Sequence, residues 1–450
     1  MSHFKPCNRY QQYLLPPSID EWLPENHLAR FIIEVIEQLD LTRLTGRYSG
    51  KGSEAYHPAM MLSLLVYGYA TGIFSSRKIE RATYDSVAFR FLAANQHPDH
   101  DTIANFRKTF LVELEELFVQ VLAIAQAMKL FKLGQISLDG TKIKANASKH
   151  KALSHGHIEK LEVQLREEVQ FLLNKAAQTD EQESEYDFDL PAEIARREQR
   201  LEALAAAKAK IAERVQARDQ QAQKDFEEKI VRRKAQQKAG QKPRGREPKA
   251  PEIGPKAKDQ INLTDEQSRI MPSRDGFIQG YNGQAAVDVE SMLIIASDLT
   301  TETNDKQRVK PMLEALGKLE DQFGKPDVLL ADNGYFSQDN VNACAEHGIA
   351  PLIALGREAH HLPIAQRLQP DAPEPQTDDP LVNMAHQLKT QSGRKLYGRR
   401  KCTVEPVFGI IKQVLGFRQF LMRGLQAAAG EWKLVTMAYN FKRMHAMAAG

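Results

Sequence analysis

The chain has 450 residues, of which 42% are hydrophobic and 26% charged, and a formal net charge of +3. That length and balance allow about three globular domains with a sizeable core and exclude a disordered or fibrous chain. Cys7, Cys344 and Cys402 are far apart and form no CxxC pair, which argues against a disulfide scaffold or zinc knuckle and fits a reducing cytoplasm.

The opening stretch MSHFKPCNRYQQYLLPPSIDEWLP has no charged-then-apolar leader pattern, so no secretory route is expected. Residues 1–131 read as an all-helical first domain. DEWLPENHLARFIIEVIEQLDL places apolar residues at helical spacing. The uncharged run Pro58–Ser76 approaches the length of a membrane span, but Ser, Thr, Gly and two Tyr dilute it, and it reads as a buried helix with no membrane partner. FSSRKIERATYDSVAFRFLA is basic and amphipathic, and a long helix follows from the cap candidates Asp101 and Thr102. Short consecutive helices carrying Arg77, Lys78, Arg81, Arg107 and Lys108 suit a helix-turn-helix-like DNA reader. A plain bundle with a charged outer face has the same pattern.

ISLDG, within residues 132–149, reads as a buried strand ending on Asp139, with Lys142, Lys144 and Lys149 following. Residues 150–262 read as an insertion. HIEKLEVQLREEVQFLLNKAAQ forms one amphipathic helix, YDFDLP breaks it, and a longer helix runs to about Lys238. Ile194, Leu201, Leu204, Ile211 and Val215 fall on a and d positions of a heptad, with Lys208 interrupting at an a position. The pattern predicts an antiparallel coiled-coil hairpin, one able to pair with its copy in a second subunit. KAGQKPRGREPKAPEIGPKAK then reads as a flexible linker. From Lys229 to Lys258 eleven Lys/Arg face two Glu, a local +9 that suggests a polyanion partner or a solvated linker.

Residues 263–450 turn α/β. GQAAVDVE and MLIIASDLT read as strands joined near Ser291, DVLLAD and APLIAL as two more, with DKQRVKPMLEALGKLEDQFG and SQDNVNACAEHG as helices between. TVEPVFGIIKQVLGF is a further helix, and GEWKLVTMAYNFKRMHAM an amphipathic one. Tyr335 and Phe336 read as core, and His360 and His361 as loop residues.

Two strands thus end on acids, Asp139 and Asp332, and Glu405 lies early on a helix. Ligand chemistry gathers beyond strand ends in open α/β sheets. Three converging carboxylates need cations, since like charges cannot all stay ionised. Mg2+ suits oxygen donors, and a pair of ions suits phosphoryl transfer. Each acid also has a plain structural reading: Asp139 and Asp332 precede turn residues, and Glu405 in a first turn is favoured by the helix dipole.

The blocks SLDGTKIKANAS, GYNGQAAVD, LLADNGYFS, YGRRKCTVEPVFGIIK and MRGLQAAAGEWKLVTMAYNFKRM stand in one order along the chain. In these the sequence resembles the bacterial insertion-sequence DDE transposases, closest to the IS-four/IS-five-like group, and the helical leader is similar too. The resemblance implies an RNase H-like catalytic core and a metal-binding, catalytic triad of Asp139, Asp332 and Glu405. It also implies two Mg2+ ions, with Mn2+ able to substitute, and DNA as partner in the form of terminal inverted repeats and target. Paired ends cut in concert imply a homodimer or higher on DNA, in the cytoplasm with the nucleoid. Around the glutamate that group carries Tyr, Arg, Glu and Lys at fixed spacing. Here Glu405 and Lys412 fit, but Lys401 stands where Arg is usual, Arg400 is beside it, and Tyr397 is displaced by one. Lys142, Lys144, Tyr397, Arg400, Lys401 and Lys412 are the expected DNA contacts. The other readings are a metal-dependent nuclease that cuts without joining, and a DNA-binding protein with a decayed core.

Overall fold

Strand β1 (Gln135–Lys144) begins where the sequence predicts but does not stop at the acid. It runs five residues past Asp139, because β5 (Gly276–Asp288) pairs antiparallel along it from Ile136↔Asp288 to Lys144↔Gly280. On its other side, β7 (Val328–Ala331) pairs parallel only as far as Leu138↔Ala331. Asp139 therefore lies mid-strand, at the point where one neighbour ends. The expectation that the strand closes on its acid is corrected: an unbroken antiparallel partner keeps the backbone of the basic tail paired.

The computed structural model describes residues 18, 20–48, 54–148, 151–179, 189–238, 246–273, 276–356 and 371–449. Lys149, His360, His361 and the first half of the YDFDLP break lie outside them. Two compact units result: Met1–Asn146, Met271–Gly276 and Gly280–Gly450 form the first, and Ala147–Ile270 with Phe277–Gln279 the second.

In the first unit the six-stranded mixed sheet runs β4-β5-β1-β7-β8, with β6 also paired to β5, where β4 is Arg269–Ser273, β6 is Ile294–Thr300 and β8 is Ala350–Ile353. β6 is antiparallel to β5, and β8 parallel to β7. The β5–β6 turn is made by Asp288, whose Oδ2 accepts from the Ser291 amide and hydroxyl, with Met292 at φ +62°. The helix expected over DKQRVKPMLEALGKLEDQFG breaks into Val309–Gly317 and Glu320–Phe323.

The closing helix, Leu425–Ala448, is not amphipathic as expected. Trp432 through Phe441 are all buried, because it packs on β6 and also on helices Pro58–Thr71 and Glu113–Ala127. Gly283 on β5 makes the close approach possible: a Cβ there would lie 3.0 Å from the Trp432 ring, whose Nε1 donates to the Gln284 carbonyl at 3.2 Å. The Pro58–Ser76 run is accounted for by the same packing, since helix Pro58–Thr71 is buried on nearly every side. Among the described residues no single helix is long and apolar enough to cross a membrane; the pair Pro58–Thr71 and Ser76–Asp85 meets that measure only together, bent by 97°.

Helices Ser76–Asp85 and Val87–Leu92 follow one another as expected, but the long helix expected from Asp101 and Thr102 is split into His100–Thr109, capped by Asp99, and Glu113–Ala127. Arg77, Lys78, Arg81 and Lys108 are exposed. Arg107 is turned inward instead, donating to the Tyr69 hydroxyl at 3.1 Å and the Phe74 carbonyl at 3.0 Å.

In the second unit, β2 (Ala152–Ser154) pairs antiparallel with β3 (Gln260–Asn262). Helices His155–Thr179 and Leu190–Lys238 share a core of Ile158, Leu165, Leu204, Ala207, Ile211, Val215 and Ile261. Leu201 is partly buried against it. Lys208 does not interrupt this seam: Ala207 fills the buried position, and Lys208 reaches outward to Glu162 at 3.0 Å. The basic segment is also less free than a linker, since Gly254 N donates to Asp219 at 2.6 Å and Arg218 grips Asp259.

Candidate active site

Parallel pairing of Leu138 with Ala331 makes Asp139 and Asp332 the next residues on adjacent strands. Asp139 Oδ1 accepts from the Gly140 amide at 2.7 Å, and its Oδ2 lies 3.6 Å from Arg400 Nη1. Burial pushes the Asp139 carboxyl up to about 6, the negative charge of Asp332 adding to it and the Gly140 amide and Arg400 opposing. Asp332 takes the turn role as well, its Oδ1 accepting from Gly334 N at 2.8 Å at the head of the one-turn helix Asn333–Tyr335.

Glu405 enters from helix Val404–Gly409, where an acid in the first turn is favourable. Arg400 joins it to the strand acid, with Nη2 3.3 Å from Glu405 and Nη1 on Asp139. This resolves which cation faces the glutamate. A 3-10 turn, Arg399–Cys402, followed by Thr403 at φ −114°, ψ −84°, absorbs one residue, so that Arg400 meets Glu405 while Lys401 is exposed. Tyr397 lies with its ring centroid 5.9 Å from the Arg400 guanidinium.

The basic residues divide. Arg400 is only 8% exposed and is held by carboxylates, and is therefore not an open phosphate contact as expected. Lys412 sits on a π-turn, Ile410–Val414, a geometry that recurs at functional sites. It is half-buried, donates to the Lys142 carbonyl at 2.9 Å, and its pKa is lowered by burial first and then by Lys142 and Arg418. Lys142 pairs with Asp305 at 3.3 Å. Lys144 and Lys401 are exposed.

Asp305 was not singled out from the sequence. It accepts from Asn282 Nδ2 at 2.6 Å and Gln284 Nε2 at 2.7 Å, two amides fully buried on β5. The available signal was two polar side chains on a strand that otherwise reads as apolar, since buried amides require partners.

Among the described residues no three His, Cys, Asp or Glu side chains stand close enough to hold one metal ion. The donor chemistry still fits a hard divalent cation: Asp139 and Asp332 are oxygen donors side by side, and burial penalises the charge of Asp139 until a cation joins it. Glu405 is engaged by Arg400 and would have to exchange that partner.

The raised Asp139 carboxyl is a liability of the metal-free protein. Its folded pKa, about 6, lies above the ordinary aspartate value of 3.8, so the stability conferred by protonation is fully present below about 3.8 and lost as pH rises through 6. Asp139→Asn is expected to stabilise the metal-free protein at pH 7.5 by up to about 3 kcal/mol, with no gain near pH 3.5. Thermal melts at both pH values in chelator check this; a lower melting temperature for the Asn variant at pH 7.5 would refute burial as the cause.

The family described as Transposase DDE domain matches residues 244–441, and that described as Transposase domain (DUF772) matches residues 17–109. Asp332 and Glu405 fall inside the first match, and Asp139 in neither. No curated protein and no solved structure matches the chain.

Proposed function

Since this chain belongs to the DDE transposases of insertion sequences, we propose that Asp139, Asp332 and Glu405 are the acids of its DNA-cutting and DNA-joining site. The observation that carries this is the β1–β7 register, which sets Asp139 beside Asp332, with Arg400 linking Asp139 to Glu405. Within the sheet, β5 antiparallel to both β1 and β6, with β7 and β8 parallel to β1 on its other side, supports an RNase H-like core.

The family implies a divalent metal, and two Mg2+ ions held by these carboxylates would supply Lewis-acid stabilisation of the attacking and leaving oxygens. Asp139 and Asp332 provide the donors, and Arg400 balances Asp139 and Glu405 before DNA arrives. Lys412 braces the glutamate-bearing segment against β1 through the Lys142 carbonyl. Lys144 and Lys401, both exposed, are the side chains free to meet phosphate. The first cut frees a 3′-hydroxyl, and that hydroxyl attacks a phosphodiester of the target. Incubation with the terminal repeats flanking the gene and Mg2+ tests this. Joined products are expected; cuts without joining would make it a nuclease, and neither product would leave DNA binding alone.

The exposed Arg77, Lys78, Arg81 and Lys108 support DNA contact by the leading helices. We assign the helix pair of the second unit to a coiled-coil arm, and a homodimer or higher to the complex with DNA, measurable as its mass on a terminal-repeat duplex. The basic window, Lys229–Lys258, should add sequence-independent affinity that falls with salt, each phosphate contact contributing roughly 0.9 to the log–log slope. Because Gly254 and Asp259 are structural anchors, the test substitutes Lys242, Arg244 and Lys249 by Gln rather than deleting the segment. A flatter slope is expected, and an unchanged one would make the segment a spacer.

A further inference from the structure

We infer that Asp305 is a positioning residue for this reaction, orienting the Asp332 turn through Gln284 and Tyr335; the inference rests on the reading of Asp332 as a catalytic acid. Asp305 lies in the loop between β6 and helix Val309–Gly317. Its Oδ1 receives the side-chain amides of Asn282 and Gln284 and the Lys142 ammonium. A carboxylate only accepts, so Gln284 must offer its NH2 to Asp305 and its carbonyl oxygen to the other side. On that side the hydroxyl of Tyr335, itself fully buried, donates to Gln284 Oε1. Tyr335 closes the turn that Asp332 opens, and within that turn Asp332 accepts from Gly334 N.

The chain Asp305–Gln284–Tyr335 thus ties the turn bearing one acid to β5, which pairs along the strand bearing the other. Each link is buried and directional, so a lost acceptor leaves Gln284 free to rotate and Tyr335 without a fixed partner. The space around the first acid is fitted to the same hub. A Cβ on Gly140 would come within 2.6 Å of Asp305 Oδ1 and closer still to Gln284 Nε2. Gly140 is mid-strand, so it is this close approach rather than a turn that calls for glycine there.

The test uses the full-length protein, a duplex of the terminal repeat flanking the gene, and single-turnover cleavage in Mg2+. Asp305→Ala is expected to lower the cleavage rate constant roughly 10- to 100-fold, with half-saturating DNA unchanged. Asp305→Asn keeps an Oδ1 acceptor for both amides and should stay within about threefold of wild type. Tyr335→Phe should lose as much as Asp305→Ala, and the double variant no more than either alone, since one chain is being cut twice. Tyr335→Phe removes a single hydroxyl and keeps the ring, so it carries the test if Asp305→Ala misfolds. An Ala variant that cuts near the wild-type rate, additive losses in the double variant, or an Asn variant as slow as Ala would each overturn the inference. Asp332→Ala runs in parallel: if it also cuts normally, the catalytic reading has failed, and not the positioning one alone.

Discussion

Replacing Asp139, Asp332 or Glu405 by Ala should reduce cleavage of terminal-repeat DNA by at least about 1,000-fold, the scale expected when a principal electrostatic element of a site is lost. Binding of the same duplex should persist, because the exposed Lys144, Lys401 and the N-terminal cations lie on other side chains. The three variants should differ in stability, which separates chemistry from folding. Asp139→Ala relieves a buried carboxylate and should not lower the melting temperature in chelator. Asp332→Ala removes only a partly exposed bond to Gly334 N. Glu405→Ala leaves Arg400, itself buried, with Asp139 as its one carboxylate partner at 3.6 Å, and should cost the most of the three. Gel-resolved cleavage, a mobility-shift titration and a melt on each variant are sufficient. Wild-type cutting by any single variant would remove that residue from the acid set.

The largest loss of stability is expected at Glu431, far from the chemistry. Its side chain is fully buried on the C-terminal helix, with burial raising its pKa. Oε1 accepts from the Tyr69 hydroxyl at 2.7 Å, and Oε2 from the Leu421 and Met422 amides at 2.9 and 3.0 Å. Arg107 completes the group through Tyr69. Glu431 thus joins the leading helices to the loop that runs beside the end of β1, where Phe420 N donates to the Lys144 carbonyl. Glu431→Ala would strand two amides and a hydroxyl and leave Arg107 unbalanced, at a cost of about 3–5 kcal/mol. That predicts poor recovery of folded protein or a melting temperature lower by roughly 5–10 °C. A melt indistinguishable from wild type would mean water replaces the carboxylate.

Local pattern carried the chemistry of this chain. Asp139, Asp332 and Glu405 are legible as acids at the ends or heads of apolar segments, because burial next to a carboxylate is visible in a few consecutive residues. The alternation of helix and strand after residue 263 was legible for the same reason. The seam residues Leu204, Ile211 and Val215 were legible from helical spacing, but Ala207 was not, since an alanine gives no hydrophobic signal strong enough to outrank the lysine beside it.

Only the tertiary structure decided the rest. The length of β1 depends on pairing with β5, some 140 residues away, and no feature of ISLDG itself records it. Whether Arg400 or Lys401 faces Glu405 depends on how one 3-10 turn winds, which neighbouring cations in a sequence cannot reveal. Arg107 and Lys412 look like surface cations in one dimension, yet they donate to oxygens that other elements bring to them. The C-terminal helix reads as one-faced but is buried all round, because helices from the other end of the chain cover its second side. Periodicity reports how a segment meets its first neighbour; strand register, ion pairing and a second covering layer are set by residues distant in sequence, and those contacts exist only once the chain has closed on itself.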